Sequence, residues 1–307
     1  MPEASHQPLT PGAASSAAAA HGPWEFKRDD RRAFLKATGA VMRAQFRAAT
    51  FFLPSWLIGL LGTVSSAAIF FLMGRYVDAG AAPWMQAYGG DYGAYILLGV
   101  GFNGLLNAGL NGYYQAYSEG YWSNAFEMYA TTPRGVGAYM LGAPVVRYGM
   151  ALLDAALWLL LAAALFRVPL AWSHLGAATL LLLLGLIATT GLGLTAASTF
   201  TLLNAKQWSN PISWLVEFLA GLFAGLYFPP EILPAGLRTV AVALPHTYVF
   251  DAARRVLLGG AGLTDPAVVR DAGALAILAL IWLPIGGYLF RRSLLKAARD
   301  GSLSRWN

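Results

Sequence analysis

The sequence predicts an all-α, polytopic membrane protein, and three observations support this prediction. Of the 307 residues, 57% are hydrophobic and only 12% are charged, whereas soluble domains carry about 25% charged residues. Several windows of about 20 residues have almost no charge, which is enough helix to cross about 30 Å of hydrocarbon. The net charge of +6 is concentrated at the two ends of the chain. That pattern indicates membrane topology and contact with anionic lipid rather than nucleic-acid binding.

The chain begins with a polar tail followed by an amphipathic segment. Residues 1–24 are rich in Ala, Ser and Pro, so we expect a disordered N-terminal tail. Residues 28–47 follow a helical period, with a basic stripe separated from a stripe of Phe, Val, Leu and Met. A helix of this kind is expected to lie in the membrane interface. The basic stripe consists of Arg32, Lys36, Arg43 and Arg47.

One transmembrane domain, residues 25–295, is predicted to contain six apolar spans. Lys and Arg are frequent before the first span and in the tail at 296–307, so we expect both termini to be cytoplasmic. The connection between spans 2 and 3 is then cytoplasmic, and the connection between spans 5 and 6 lies outside. The predicted spans are 51–73, 93–113, 146–166, 175–203, 209–228 and 271–290.

The connection between spans 2 and 3 contains a candidate docking helix. Trp122, Phe126 and Tyr129 recur at helical spacing, and Thr132-Pro133 is expected to end the helix. Two interpretations are open at this point. The aromatic face either docks a partner protein or belongs to a loop that packs on itself.

The connection between spans 5 and 6 is apolar, but it is too short and too rich in proline to cross the bilayer. Its sequence over 228–234 is Phe-Pro-Pro-Glu-Ile-Leu-Pro, and it continues through Pro245 to Gly260. We expect short helices that dip into one leaflet. Its arginines conflict with an outside position, so we predict that Arg254 and Arg255 find carboxylate, carbonyl or lipid-headgroup partners.

Polar residues inside spans 2 and 5 are candidates for a substrate pathway. Asn103, Asn107 and Asn111 share one helix face, where they either form hydrogen bonds between helices or line a polar path. Glu217 lies about 12 Å into span 5. An ionisable group at that depth is costly, so Glu217 contacts substrate, forms a gate at the axis of a dimer, or makes a structural hydrogen bond in its protonated form.

These motifs resemble those of the permease subunits of type-2 ABC exporters. The first is Glu127-x-x-x-Thr-Thr-Pro-Arg between spans 2 and 3, and the second is Phe-Pro-Pro-Glu-x-Leu-Pro at the end of span 5. The third is Leu-Pro-His-Thr-Tyr-Val-Phe-Asp-Ala-Ala-Arg-Arg-Val-Leu-Leu-Gly-Gly before the last span. The resemblance covers residues 25–295. The acidic motif of the family often opens with Gly-Thr, where this chain has Asn124-Ala125.

The resemblance implies a half-transporter that dimerises with a second copy and docks two ABC ATPase subunits. Residues 28–47 would be the elbow helix, 122–133 the coupling helix, and 229–260 a re-entrant gate on the outer side. The implied coupling residues are Trp122, Phe126, Glu127, Tyr129, Thr132 and Pro133. The implied gate residues are Phe228, Pro229, Pro230, Glu231, Pro234, Pro245, Tyr248 and Arg254.

The chain lacks the Gly-x-x-x-x-Gly-Lys-Ser/Thr phosphate loop, so we expect a non-enzymatic subunit. ATP and Mg would bind only to the partner ATPase, with no metal or cofactor on this chain. We expect export of a drug-like or lipid substrate across the cytoplasmic (inner) membrane of a prokaryote, with membrane lipid and no nucleic acid as partners. Export of a lipid-linked glycan or polysaccharide is the alternative. A non-transporting scaffold and an intramembrane lipid-modifying enzyme are further alternatives.

Overall fold

A computed structural model describes residues 28–51, 53–76, 83–130, 135–203 and 210–300. These residues form ten α-helices, three short 3-10 helices and no strand, which confirms the all-α prediction for the described part of the chain. The predicted disordered tail at 1–24 lies outside the described residues. So do Thr132, Pro133 and the last seven residues of the predicted C-terminal tail.

The helices follow one another with short connections. The α-helices are α1 (Arg28–Thr50), α2 (Leu53–Tyr76), α3 (Tyr92–Trp122), α4 (Ala125–Ala130), α5 (Gly135–Ala164), α6 (Leu175–Leu202), α7 (Pro211–Phe223), α8 (Ala235–Val242), α9 (Pro245–Leu257) and α10 (Pro266–Arg299). The 3-10 helices are Pro83–Tyr88, Trp172–His174 and Pro230–Ile232.

Four helices are long and apolar enough to cross a membrane. They correspond to the second, third, fourth and sixth predicted spans, and each contains more residues than the span that was predicted for it. The other two predicted spans fall on α2, whose apolar part is Ile58–Gly74, and on α7 (Pro211–Phe223), and neither is among these four, so the count of six stays a prediction. The four long segments are Tyr92–Trp122, Gly135–Ala164, Trp172–Leu202 and Pro266–Arg299.

Helix α7 is shorter than the span predicted at 209–228. It begins at an N-cap, where the Asn210 side chain accepts hydrogen bonds from Ile212 N and Ser213 N at 3.2 and 3.3 Å. It ends at Phe223 after 13 residues, which is only about 20 Å of helix. Gly225 follows with a φ of +91°, a left-handed conformation that glycine adopts without steric cost. The chain therefore leaves α7 as irregular backbone before the prolines.

Helix α6 lies at the centre of the bundle, against α3, α9 and α10. Glycines permit the close contacts: Gly193 faces the backbone of Gly109 on α3, and Gly191 faces the backbone of Trp282 on α10. Without side chains at these positions, helix backbones approach closely enough to gain packing contacts.

Helix α1 coincides with the predicted amphipathic segment and packs on α5. A Cβ atom at Gly142 of α5 would lie 3.0 Å from Val41 Cγ1 and 3.2 Å from Thr38 O, so the two helices meet closely there. Arg43, Phe46 and residues 47–50 are exposed. The placement of α1 in a membrane interface stays a prediction.

Candidate functional site

The predicted docking segment is built from two helices rather than one. Helix α3 ends at Trp122, Asn124 turns the chain with a φ of 58°, and α4 begins at Ala125. Trp122 therefore does not share a helix face with Phe126 and Tyr129, contrary to the prediction from their spacing. Helical spacing defines a common face only within one continuous helix, and the left-handed residue interrupts it.

Phe126 attaches α4 to the bundle instead of facing outward. Its side chain is 0% exposed, and its ring makes edge-on contacts with Tyr117 at 5.4 Å and Tyr139 at 5.8 Å. The ring lies against Gly120, where a Cβ atom would come within 2.6 Å of it. Tyr129 packs on the same Tyr139 ring at 5.1 Å. Helix α4 is thus held against both α3 and α5.

The outer surface of this corner is formed by other residues. Trp122 is 42% exposed and Met128 is 64% exposed, and Glu127 is exposed beside them. A nearby ion pair joins the two helices that flank α4, because Arg147 Nη2 lies 2.5 Å from Glu119 Oε2. In the described part of the predicted docking segment, the exposed side chains therefore include an indole, a thioether and a carboxylate.

Two of the predicted pathway residues are in contact. Asn111 on α3 donates a side-chain hydrogen bond to Glu217 Oε1 on α7. One turn earlier on the asparagine face, Asn107 is half-buried, and so is Asn103. The contact supplies the structural hydrogen bond that was one of the interpretations of Glu217.

Arg254 of α9 is 1% exposed and closes the irregular end of α7. It donates hydrogen bonds from Nη1 to Gly225 O at 2.5 Å and from Nη2 to Leu226 O at 2.8 Å. The guanidinium lies over the ring of Tyr95, 3.6 Å from its centroid, and Gly99 leaves the space that it occupies. The two carbonyls lie beyond the helical part of α7, so Arg254 satisfies acceptors that no helix satisfies.

A second polar group holds α9 against α10 and the 3-10 helix before α3. Asp251 accepts a hydrogen bond from Tyr88 Oη at 2.6 Å and pairs with Arg255 Nε at 2.8 Å. Arg270 of α10 pairs with Asp251 at 3.2 Å and with Asp271 at 2.9 Å. Burial, followed by the Asp251 carboxylate, raises the pKa of Tyr88. The predicted partners of Arg254 and Arg255 are therefore confirmed as carbonyls and a carboxylate.

His246 lies near the start of α9 and is 0% exposed. Neither ring nitrogen has a hydrogen-bond partner among the described residues. Burial lowers the pKa of His246 to about 4, because the charged imidazolium would lose its hydration. The side chain is therefore neutral at pH 7.

The remaining predicted gate residues differ in exposure. Pro229 and Pro245 are buried, and Tyr248 anchors α9 to α8 by donating a hydrogen bond to Val242 O at 2.8 Å. The half-buried residues are Phe228 and Pro230, and the exposed residues are Glu231 and Pro234.

Sequence reasoning missed the residues that accommodate Arg254. Tyr95 and Gly99 belong to the apolar first half of α3, where no sequence motif marks them. The signal in the sequence is Arg254 itself, because an arginine in a largely apolar segment needs polar partners nearby.

The chain matches the family model described as ABC-2 family transporter protein over residues 86–288, more than half of its length. The matched range includes α4, α9 and all the residues that surround Arg254. No curated protein matches the chain. The match confirms the resemblance that the sequence motifs predicted.

Proposed function

Because the chain belongs to the ABC-2 family of transporter proteins, we propose that it is the membrane subunit of an ATP-driven exporter. It is a multi-pass membrane protein with several apolar helices. In this proposal it moves a drug-like or lipid substrate outward across the cytoplasmic membrane of a prokaryote, with both termini in the cytoplasm. A separate ATPase subunit supplies the energy.

The observation that carries the proposal is the way α4 is attached. A six-residue helix with an exposed outer surface is fixed to two candidate spans through the buried ring of Phe126. A force on that surface would act on α3 and α5 together, because Tyr117 belongs to α3 and Tyr139 to α5. We propose that an ATPase docks on Trp122, Glu127 and Met128. Two ATPase copies on a dimer of this chain would bind ATP and Mg.

The predicted gate lies at the other end of the same helix. Gly99 contacts Arg254 and Gly120 contacts Phe126, and these glycines are 21 residues apart, or about 32 Å along α3. That length is close to the thickness of the hydrocarbon core. Helix α3 therefore links the proposed ATPase surface on one side to α9 on the other. Tilting of α3 would move both.

Export of a lipid-linked glycan is the second candidate. The half-buried Asn103 and Asn107 favour it, because amide groups bind hydroxylated chains. Within the described part of the chain, no group of three His, Cys, Asp or Glu residues could hold a metal ion, so no such group there favours the alternative of an intramembrane lipid-modifying enzyme.

The test is reconstitution of the full chain in proteoliposomes with the ATPase subunit that co-purifies with it. Efflux of a fluorescent lipid and ATP hydrolysis are measured together. In the variant Glu127→Gln we expect insertion to be unchanged and efflux per ATP to fall. Asp300→Asn is the matched control, since it removes an exposed carboxylate that belongs neither to α4 nor to the predicted gate. Efflux by the chain alone, with no ATPase present, would refute the proposal.

A further inference from the structure

A groove of about 600 Å³ runs between the end of α1 and the middle of α5. It lies away from α4 and from the predicted gate. Among its lining residues the only charged ones are two arginines of α1, and the others are apolar. The lining residues are Met42, Arg43, Phe46, Arg47, Val145, Val146, Gly149, Met150 and Leu153.

The two arginines form a basic rim. Arg43 and Arg47 are four residues apart on α1, so they lie on one face with about 6 Å of axial separation, and both are exposed. Within the described residues no carboxylate lies at salt-bridge distance from either side chain. Two unneutralised guanidinium groups at this spacing can bind one phosphate from two sides.

The opposite wall is an apolar strip on α5. Val145, Gly149 and Leu153 are exposed at intervals of four residues, and together they span about 12 Å along the helix. A second groove of about 620 Å³ shares Met150 and Leu153 and continues between α5 and α2. Its lining is mostly apolar, and its polar residues are Thr63 and Asp154. The basic rim therefore adjoins one apolar track and a second track that is mostly apolar.

We propose that this groove binds an anionic phospholipid of the membrane as a resident lipid. The phosphate pairs with Arg43 and Arg47, one acyl chain follows the strip on α5, and the other enters the adjoining groove. The two tracks match a diacyl molecule, and basic pockets beside membrane-spanning helices favour anionic headgroups. A zwitterionic lipid fits the apolar tracks equally well but gains less from the arginines, because it has no net charge.

Gly149 provides a way to fill the groove without disturbing the fold. A Cβ atom built at Gly149 meets nothing within 4 Å, and the same is true of Gly273 on α10. Gly149→Leu therefore places a side chain in the path of the acyl chain. Gly273→Leu is its matched control, an equal addition of bulk on another exposed helix position.

The experiment is native mass spectrometry of the full chain in detergent with dioleoylphosphatidylglycerol or dioleoylphosphatidylcholine. We expect tighter retention of the phosphatidylglycerol. Replacing Arg43 and Arg47 with glutamine should weaken its binding about 30-fold, from about 1 kcal/mol for each arginine. Arg31→Gln with Arg32→Gln removes the same charge from exposed positions of the same helix and should leave binding unchanged. Gly149→Leu should reduce retention of both lipids, and Gly273→Leu of neither.

Equal retention of the two lipids would overturn the proposal. So would an equal loss in the Arg31 and Arg32 pair, which would indicate general charge attraction. Displacement of lipid by dimerisation would assign the groove to a second copy of the chain. The experiment involves no ATPase and no transport, so its failure leaves the proposed export function untouched.

Discussion

Replacing Gly99 with alanine is expected to expel Arg254 from its place at the end of α7. A Cβ atom at Gly99 would lie 2.8 Å from Leu226 O and 3.0 Å from Arg254 Cζ, and closer still to Nη2. Real Cβ contacts do not occur at these distances, and one of the opposing groups is backbone. The guanidinium therefore has to move.

The cost follows from what the guanidinium does in the native structure. Its two hydrogen bonds to Gly225 O and Leu226 O are each expected to contribute about 1.5–3 kcal/mol, since the donor is charged. Its position over Tyr95 adds a cation–π contact. Breaking a buried charged interaction of this kind costs about 3–5 kcal/mol, and the better helix propensity of alanine offsets about 1 kcal/mol. The net loss is about 2–4 kcal/mol.

Equilibrium unfolding in detergent micelles, followed by tryptophan fluorescence, measures this loss. The matched control is Gly104→Ala on the same helix, where the Cβ would meet only Asp154 Oδ2 at 3.8 Å. That variant should be as stable as the native chain or more stable by up to about 1 kcal/mol. If Gly99→Ala unfolds at the same denaturant concentration as Gly104→Ala, the close confinement of Arg254 by α3 is disproved.

Three further predictions concern buried groups. Phe126→Ala should lower the free energy of unfolding by about 3–5 kcal/mol. Met128→Ala, at a side chain that is 64% exposed, should change it by less than about 0.5 kcal/mol. Similar losses in the two variants would contradict the packing of Phe126 into the bundle. His246 has a folded pKa of about 4, below its unfolded value of about 6.5, so its contribution is fully present above pH 6.5 and is lost as the pH falls towards 4. The loss approaches about 3 kcal/mol. His246→Leu should flatten the measured pH dependence of the free energy of unfolding between pH 6.5 and 4. An unchanged slope would refute the burial of a neutral His246. Tyr88→Phe removes a hydrogen-bond donor to Asp251 and should lower the free energy of unfolding by about 1–2 kcal/mol. No loss in the same unfolding measurement would show that this hydrogen bond does not stabilise the fold.

The apolar spans were predictable because the signal for them is local. A helix that crosses the membrane needs about 20 consecutive apolar residues, and four such segments lie where the sequence predicted them. The helix ends were less predictable. Helix α5 begins at Gly135, well before the predicted start at 146, because the uncharged residues 135–145 continue the helix and Pro144 lies inside it without ending it.

The sequence predicted which residues belong to the candidate site but not how they are arranged. Phe126 was expected on an aromatic docking face, but the turn at Asn124 directs it into the bundle. Arg254 was expected to need a partner, but the partners are backbone carbonyls 28 and 29 residues away in sequence. A sequence pattern does not indicate which backbone carbonyl will accept a side-chain hydrogen bond, because every residue carries a carbonyl.

The sequence by itself determined that this chain is a helical membrane protein of the ABC-2 type. The long apolar stretches, the bias of Lys and Arg and the proline motifs are all local features of the sequence. The tertiary structure alone decided which polar groups meet. Asn111 reaches Glu217 across 106 positions, and Tyr88 reaches Asp251 across 163. Such contacts depend on how the helices cross. Glycines such as Gly191 and Gly193 permit the close crossings, and their role appears only when a neighbouring helix is in place.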